Sequence, residues 1–210
     1  GYYGEGRERL AGMLALSAPP TPPTVQALPS HSQTQTTSHS RLSFTARALN
    51  GAGALAALQG DYATARSMYE ESLAISRELG DKRGIAVSLG NLGNVAYGQG
   101  DYAIAHSLYE GSLALMRELG VSWGIGWILA GLGGVAAGVG QASRGTRLLG
   151  AAEALEEAPG SIFGQDDRMV YEQGIASARA QLSEEEFEKA WAEGRAMTME
   201  QAIEYAIEEY

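Results

Sequence analysis

The sequence contains no cysteine, and only six of its 210 residues are proline. Without cysteine there is no disulfide framework, no thiolate metal site and no cysteine nucleophile, which fits a cytoplasmic protein. Basic residues are also scarce, since 15 Lys and Arg stand against 25 Asp and Glu and give a net charge of −10. Because binding to a nucleic-acid backbone needs a concentrated basic surface, we expect no direct nucleic-acid partner.

The sequence also lacks the motifs that carry catalysis or hold cofactors. The three histidines, His31, His39 and His106, have no partner at metal-ligand spacing, and there is no G-x-x-x-x-G-K-[ST] phosphate loop. Gly131, Gly133 and Ala136 match the dinucleotide pattern G-x-G-x-x-A, but they lie inside a helical segment rather than after a strand. We therefore predict no catalytic residue, no metal and no cofactor, and a protein that is not an enzyme.

One forty-residue unit is present twice, at residues 60–99 and 100–139, with about 23 of the 40 positions identical. Self-similarity at such a period is typical of stacked helical repeats, and no alternating strand pattern is visible. The sequence therefore predicts an all-α fold, an α-solenoid of antiparallel helix hairpins. A solenoid of this kind presents a concave surface that is suited to recognition.

Composition and helix signals divide the chain into four segments. Five of the six prolines lie in a Ser-, Thr- and Gln-rich stretch that is too polar to bury a core. The predicted segments are a helix of a truncated upstream repeat at 1–16, a flexible linker at 17–41, repeats at 42–158 and a C-terminal helical cap at 159–210.

Local signals place the helix ends. Asp61 and Asp101 are predicted to cap the helices that follow them, and Gly80 and Gly120 to end those helices. In the cap segment, Ser183–Glu186 and Thr198–Gln201 have the pattern of capping boxes.

Residues 123–140 carry no charge over eighteen positions, which approaches the length that spans a bilayer. The stretch aligns with 84–100, where Asn91, Asn94 and Gln99 interrupt the apolar pattern. We therefore predict a buried repeat helix and no membrane partner.

Two resemblances refine this interpretation. The unit resembles a tetratricopeptide repeat, because small and aromatic residues fall at that family's spacing: Leu92, Gly93, Ala96, Gly100, Asp101, Tyr102, Ala105 and Tyr109. The segments 77–102, 148–155 and 191–209 also look like the C-terminal sensor region of bacterial STAND or LuxR-type signalling ATPases. The first resemblance implies a protein- or peptide-binding solenoid, and the second implies a place in a larger signalling or transcriptional regulator.

In tetratricopeptide repeats the first helix of each hairpin lines the groove. The register predicts these partner-binding residues: Arg47, Asn50, Val87, Asn91, Asn94, Tyr97 and Trp127. Asn91 and Asn94 could instead solvate a helix face or bond within the hairpin, and Trp123 and Trp127 could instead fill the core.

The leading hypothesis is a scaffold or sensor that binds a protein or peptide, possibly an upstream ATPase domain of the same polypeptide. A small-molecule pocket inside the superhelix, near Tyr97 and Trp127, is the first alternative. Self-association into a homo-oligomer through an exposed end face is the second.

Overall fold

The computed structural model describes residues 31–122, 124–157 and 164–208, and the side chains of all of these except 31–37, 165 and 166. The helix predicted at 1–16 and the side chain of Trp123 lie outside the described residues. The packing described below is that of the compact unit that begins at His39.

Nine helices account for most of the described residues, and no strand is present among them. In chain order they are α1 His31–Leu58, α2 Tyr62–Leu79, α3 Lys82–Gly98, α4 Tyr102–Leu119, α5 Ile125–Gly138, α6 Ala142–Glu156, α7 Gln165–Arg179, α8 Glu184–Arg195 and α9 Met199–Ile207. The first six form three hairpins, α1–α2, α3–α4 and α5–α6. The all-α hairpin solenoid predicted from the repeat is confirmed.

A left-handed glycine lies between each pair of successive helices from α1 to α6. These glycines fall every twenty residues: Gly60, Gly80, Gly100, Gly120 and Gly140. At Gly80, φ is +66°, so its amide reaches the Arg77 carbonyl at 3.1 Å and the next amide reaches the Ser76 carbonyl at 2.9 Å. This Schellman motif ends α2 where the sequence predicted.

In each of the first two hairpins, a buried serine on the second helix forms a hydrogen bond with the backbone of the first helix. The Ser72 hydroxyl donates to the Ala46 carbonyl at 2.9 Å, and the Ser112 hydroxyl donates to the Ala86 carbonyl at 2.8 Å. Both pairs are separated by 26 residues, so the bond recurs with the forty-residue period. Each bond satisfies a hydroxyl that would be costly to bury alone.

Glycines in the first helices make room for large side chains from the second helices. A Cβ atom built on Gly93 would lie 2.6 Å from the Tyr109 ring, and one on Gly53 would lie 2.6 Å from the Tyr69 ring. Both tyrosines are completely buried. These glycines therefore permit close approach of the helices around both rings.

The last three helices pack on the third hairpin. α7 contacts α5 and α6, α8 contacts α6, and α9 contacts both helices of the hairpin. Ala202, Ile203 and Ala206 on α9 are buried, as expected for an apolar stripe that covers the end of the array. The uncharged stretch contains α5, which is 14 residues long, and none of the described helices is both long and apolar enough to cross a membrane.

Two local predictions differ from the structure. Residues 31–41 belong to α1, although they were predicted to be part of a flexible linker. The last proline of the linker is Pro29, so nothing after it prevents the helix from extending back to His31. Asp101 occupies the N-cap position but its side chain makes no capping bond, whereas Asp61 accepts from the Thr64 amide at 3.1 Å.

The third residue of the helix also differs between the two sites. Asp61 faces Thr64, whose hydroxyl and amide hydrogen bonds hold the pKa of this aspartate below its ordinary value. The corresponding residue after Asp101 is Ile104, which has no hydroxyl to donate.

Both predicted capping boxes are present, and the one at Ser183 supports a stability prediction. The Ser183 hydroxyl accepts from the Glu186 amide at 3.3 Å, and the Ser183 amide donates to the Glu186 carboxylate at 2.9 Å. We expect Ser183→Ala to lower the free energy of unfolding by about 1 kcal/mol. Ser67→Ala, at an exposed site inside α2, is the matched control and should cost nothing.

The effect of Ser183→Ala should also depend on pH. Hydrogen bonds from the Ser183 hydroxyl and amide lower the pKa of Glu186 from its ordinary value of 4.5. A lowered folded-state pKa contributes stability above that ordinary value and loses it as pH falls through the folded-state pKa. Urea unfolding curves should therefore show a larger difference between the two proteins at pH 7 than at pH 3, and an unchanged difference would contradict this origin.

Candidate functional site

The first helices of the three hairpins, α1, α3 and α5, carry all seven residues predicted to line a groove. Arg47 is exposed, and Asn50, Val87 and Asn91 are half-buried. The other three are nearly inaccessible: Asn94 is 8 % exposed, Tyr97 7 % and Trp127 6 %. The prediction that Asn94, Tyr97 and Trp127 face an open groove is therefore wrong.

Helix α7 is the reason that the α3 part of this surface is closed. The Asn94 amide donates to the Asp167 carboxylate at 2.8 Å, and the Tyr109 hydroxyl donates to the Asn94 carbonyl oxygen at 2.8 Å. Asp167 in turn accepts from the Gly164 amide at 3.0 Å. This polar chain ties the second hairpin to the beginning of α7.

Close backbone contact continues further along α7. A Cβ atom on Gly174 would lie 3.0 Å from the Gly134 Cα atom, so α5 and α7 touch without an intervening side chain. Nearby, burial and the neighbouring Tyr102 raise the pKa of Tyr97 to about 12. The chain's own helix therefore covers a surface that sequence reasoning assigned to a partner.

Trp127 fills an interface between two hairpins. A Cβ atom on Gly90 would lie 1.9 Å from its ring, so the indole occupies the space left by this glycine. Of the two roles considered for this tryptophan, filling the core is the one that its surroundings support.

The side chains of Asn50 and Asn91, which were predicted to line the groove, form hydrogen bonds with each other and with Ser88. The Asn50 amide donates to the Ser88 hydroxyl at 3.3 Å, and the Asn91 amide donates to the Asn50 carbonyl oxygen at 3.4 Å. These bonds join α1 to α3, so the asparagines bind the array together. In a groove that binds the C-terminal carboxylate of a peptide, such donors would have to converge on the ligand instead.

The space beside Tyr97 is too small for a ligand. Residues of α3 and α7 line a cleft of about 30 Å³ there, including Asn94, Tyr97 and Val170. This volume is about that of one water molecule, whereas small-molecule sites usually measure roughly 300–1,000 Å³.

A larger apolar cleft lies between α4 and α9. Two adjoining depressions of about 300 and 380 Å³ share Arg117 and Ile203 in their walls. The apolar part of the lining is Leu113, Ala114, Met116, Val121, Ile125, Met199, Ile203 and Ile207. We call this surface the α4–α9 cleft.

Acidic residues surround the α4–α9 cleft. Glu110 and Glu118 come from α4, while Glu200 and Glu204 lie one turn apart on the exposed side of α9. Arg117 is the one basic residue in the described lining, and Lys82 outside it pairs with Glu118 at 2.6 Å, so the charges of these six residues sum to −2. The cleft therefore combines an apolar floor with a negative rim.

Arg144 of α6 fixes the position of α9. Its guanidinium donates to the carbonyls of Tyr205 at 2.7 Å, Ala206 at 3.2 Å and Glu208 at 3.1 Å, and it lies 4.8 Å from the centre of the Tyr205 ring. A cation at the carboxyl end of a helix satisfies its last carbonyls and favours its dipole. Sequence reasoning missed the cleft because α9 lies outside the repeat and was predicted only as part of the C-terminal cap.

Comparison with known families agrees with this geometry. Residues 44–118 match the family model of the tetratricopeptide repeat. These residues are tetratricopeptide repeats. The match covers the first two hairpins, and the third follows the same hairpin pattern without being part of the matched segment.

Three curated proteins are similar to part of the chain. Each is named "Putative HTH-type transcriptional regulator", one from Mycobacterium bovis and two from strains of Mycobacterium tuberculosis. Identity is 38 % over 64 residues, which is 30 % of this chain but 7 % of each relative. The chain thus resembles a small part of much longer proteins, and no solved structure matches the chain significantly.

Proposed function

We propose that this chain is a protein-binding module of a larger bacterial regulator and works by recognition rather than catalysis. Tetratricopeptide repeats generally bind proteins or peptides, and the similar mycobacterial proteins are named as transcriptional regulators. The observation that carries the proposal is the α4–α9 cleft, which offers an apolar floor and acidic rim while α7 covers much of the usual groove.

The occupant that fits the α4–α9 cleft is a basic amphipathic helix from another domain of the regulator. An amphipathic helix places its apolar face in a hydrophobic groove through residues at i, i+3, i+4 and i+7. Lys and Arg at the edges of that helix would complement Glu200, Glu204 and Glu110, since Glu118 is already paired with Lys82. Helices that contact DNA are rich in Lys and Arg, so an HTH domain of the kind named in the relatives could supply one.

Titration with two synthetic helices tests this proposal. One 18-residue peptide carries leucines on one face and lysines elsewhere, and the other has glutamate in place of every lysine. We expect the lysine peptide alone to bind, with a dissociation constant that rises with salt, and to shift the methyl NMR signals of Ile203 and Ile125.

Charge reversal in the α4–α9 cleft provides the control. Glu200→Lys with Glu204→Lys should weaken binding of the lysine peptide about tenfold, since two rim attractions become repulsions worth roughly 1.4 kcal/mol together. Glu70→Lys with Glu71→Lys makes the same change in net charge on the exposed side of α2 and should have little effect. Equal weakening by both pairs, or shifts elsewhere, would show that the cleft is not the binding surface.

A further inference from the structure

Helix α1 presents an apolar stripe to solvent. Phe44 is 74 % exposed and Leu55 63 % exposed, and Ala48 and Gly51 between them are exposed as well. The spacing of four, three and four residues puts all of them on one side of the helix. We call these four residues the α1 face.

Most of the corresponding positions are buried in the later hairpins, although Gly84 and Asn91, the counterparts of Phe44 and Gly51 in the second hairpin, are half-buried. Forty residues further on, Ser88 is completely buried and Val95 is 1 % exposed, and eighty residues on, Ile128 is completely buried and Val135 2 % exposed. Gly51 corresponds to Gly131, which is also buried. The α1 face is therefore a stacking surface, and it is exposed because no described hairpin precedes it.

The third hairpin shows what covers such a face. A Cβ atom on Gly131 would lie 2.4 Å from the Tyr109 ring, and one on Gly93 would lie 2.6 Å from the same ring. Tyr109, on the second helix of the preceding hairpin, is thus held between two glycines. At Gly51 nothing lies within 4 Å of the corresponding Cβ position.

We propose that the α1 face binds a further hairpin of the same repeat type, located upstream in the same polypeptide, whose second helix places an aromatic ring on Gly51. The similar proteins are much longer than the matched segment, which spans 7 % of them, so a repeat array in such a protein has room for further units. A second copy of this chain stacked head to tail would have to offer α6, but α7 and α8 already pack against that helix. This inference concerns a different surface from the α4–α9 cleft, so its test is independent of the test of the proposed function.

An extended chain tests the proposal. A copy of residues 82–121, the second hairpin with its connections, is inserted between Arg41 and Leu42. Its tyrosine then precedes Gly51 by 22 residues, the same spacing that separates Tyr109 from Gly131 (131 − 109 = 22). We expect backbone amides at 48–55 to exchange with solvent at least about tenfold more slowly than in the natural chain.

The Gly51→Ala substitution distinguishes specific docking of the added hairpin on the α1 face from a general increase in the order of α1. In the natural chain it should raise the folding equilibrium constant about two- to fivefold, because alanine favours helix and its methyl group meets nothing. In the extended chain it should lower that constant at least about tenfold, because the methyl group would then meet a ring, as it would at Gly131. Gly111→Ala, where the nearest atom is Leu89 Cδ1 at 3.5 Å, should act alike in both chains.

Three results would overturn the proposal. The first is an added hairpin that stays unfolded, as judged by helicity per residue in circular dichroism. The second is a Gly51→Ala effect that is the same in both chains. The third is a natural chain that sediments as a dimer and becomes monomeric on Phe44→Asp, because a second copy would then occupy the α1 face.

Discussion

Replacing Gly194 by alanine is expected to lower the free energy of unfolding by about 2–3 kcal/mol. A Cβ atom there would lie 2.0 Å from the Arg147 carbonyl oxygen and 2.8 Å from its carbonyl carbon, where α8 crosses α6. These are backbone atoms of a helix, so relief requires the two helices to separate. Overpacking of this kind typically costs about 1–3 kcal/mol. Separation of the two helices would also strain the 2.6 Å ion pair between Arg147 and Glu193, which are next to the contact.

Gly51→Ala in the natural chain is the matched control for Gly194→Ala. Gly51 lies in the interior of α1 and gains a helix propensity of about 0.5–1 kcal/mol, whereas Gly194 lies in the last turn of α8 and faces a neighbouring backbone. Urea unfolding followed by circular dichroism should show opposite signs for the two variants. If Gly194→Ala were as stabilising as Gly51→Ala, α6 and α8 would not be in backbone contact.

Tyr109→Ala is expected to have the largest effect of any single substitution considered, about 4–5 kcal/mol. Removing a buried aromatic ring usually costs about 3–5 kcal/mol, and the amount depends on how far the surroundings can fill the space. Here Gly93 and Gly131 both lie against the ring and have no side chains that could move inward. A loss of this size would consume much of the stability of a typical domain, so the variant should be partly unfolded at 37 °C.

Tyr109→Phe separates the ring from its hydroxyl. The phenylalanine keeps the packing between the glycines but removes the donor that reaches Asn94 at 2.8 Å, so the expected cost is about 1–3 kcal/mol. Thermal unfolding of both variants beside the natural chain provides the comparison. If Tyr109→Ala cost no more than Tyr109→Phe, the hydrogen bond and not the glycine-walled packing would be the main contribution of this side chain.

The repeat architecture was predictable because its signals are local. A left-handed glycine ends a helix through its own backbone, so Gly80 and Gly120 could be assigned as helix ends without knowledge of the rest of the chain. The boxes at Ser183 and Thr198 work in the same way, through bonds that reach three residues. Because the unit repeats, the way one hairpin packs on its neighbour also predicts how the next pair of hairpins packs.

The candidate site was harder to predict because α7 and α9 do not repeat. The bond that helps close the groove joins Asn94 to Asp167 across 73 residues, and no spacing in the sequence indicates such a pairing. Asn94 and Tyr97 were therefore assigned to an open surface by a register that is correct for the hairpins alone, whereas Trp127 is buried between the hairpins themselves, against Gly90. The α4–α9 cleft escaped prediction for the same reason, since one wall belongs to the repeat and the other does not.

The left-handed glycines at positions 60, 80, 100, 120 and 140 also constrain how such an array can evolve. Each one reverses the direction of the chain, so gaining or losing a single helix would turn every later helix to point the other way. Polar outer faces would then meet the apolar interior. Duplication and recombination can consequently change the length of this gene segment safely only in steps of two helices, about forty codons at a time.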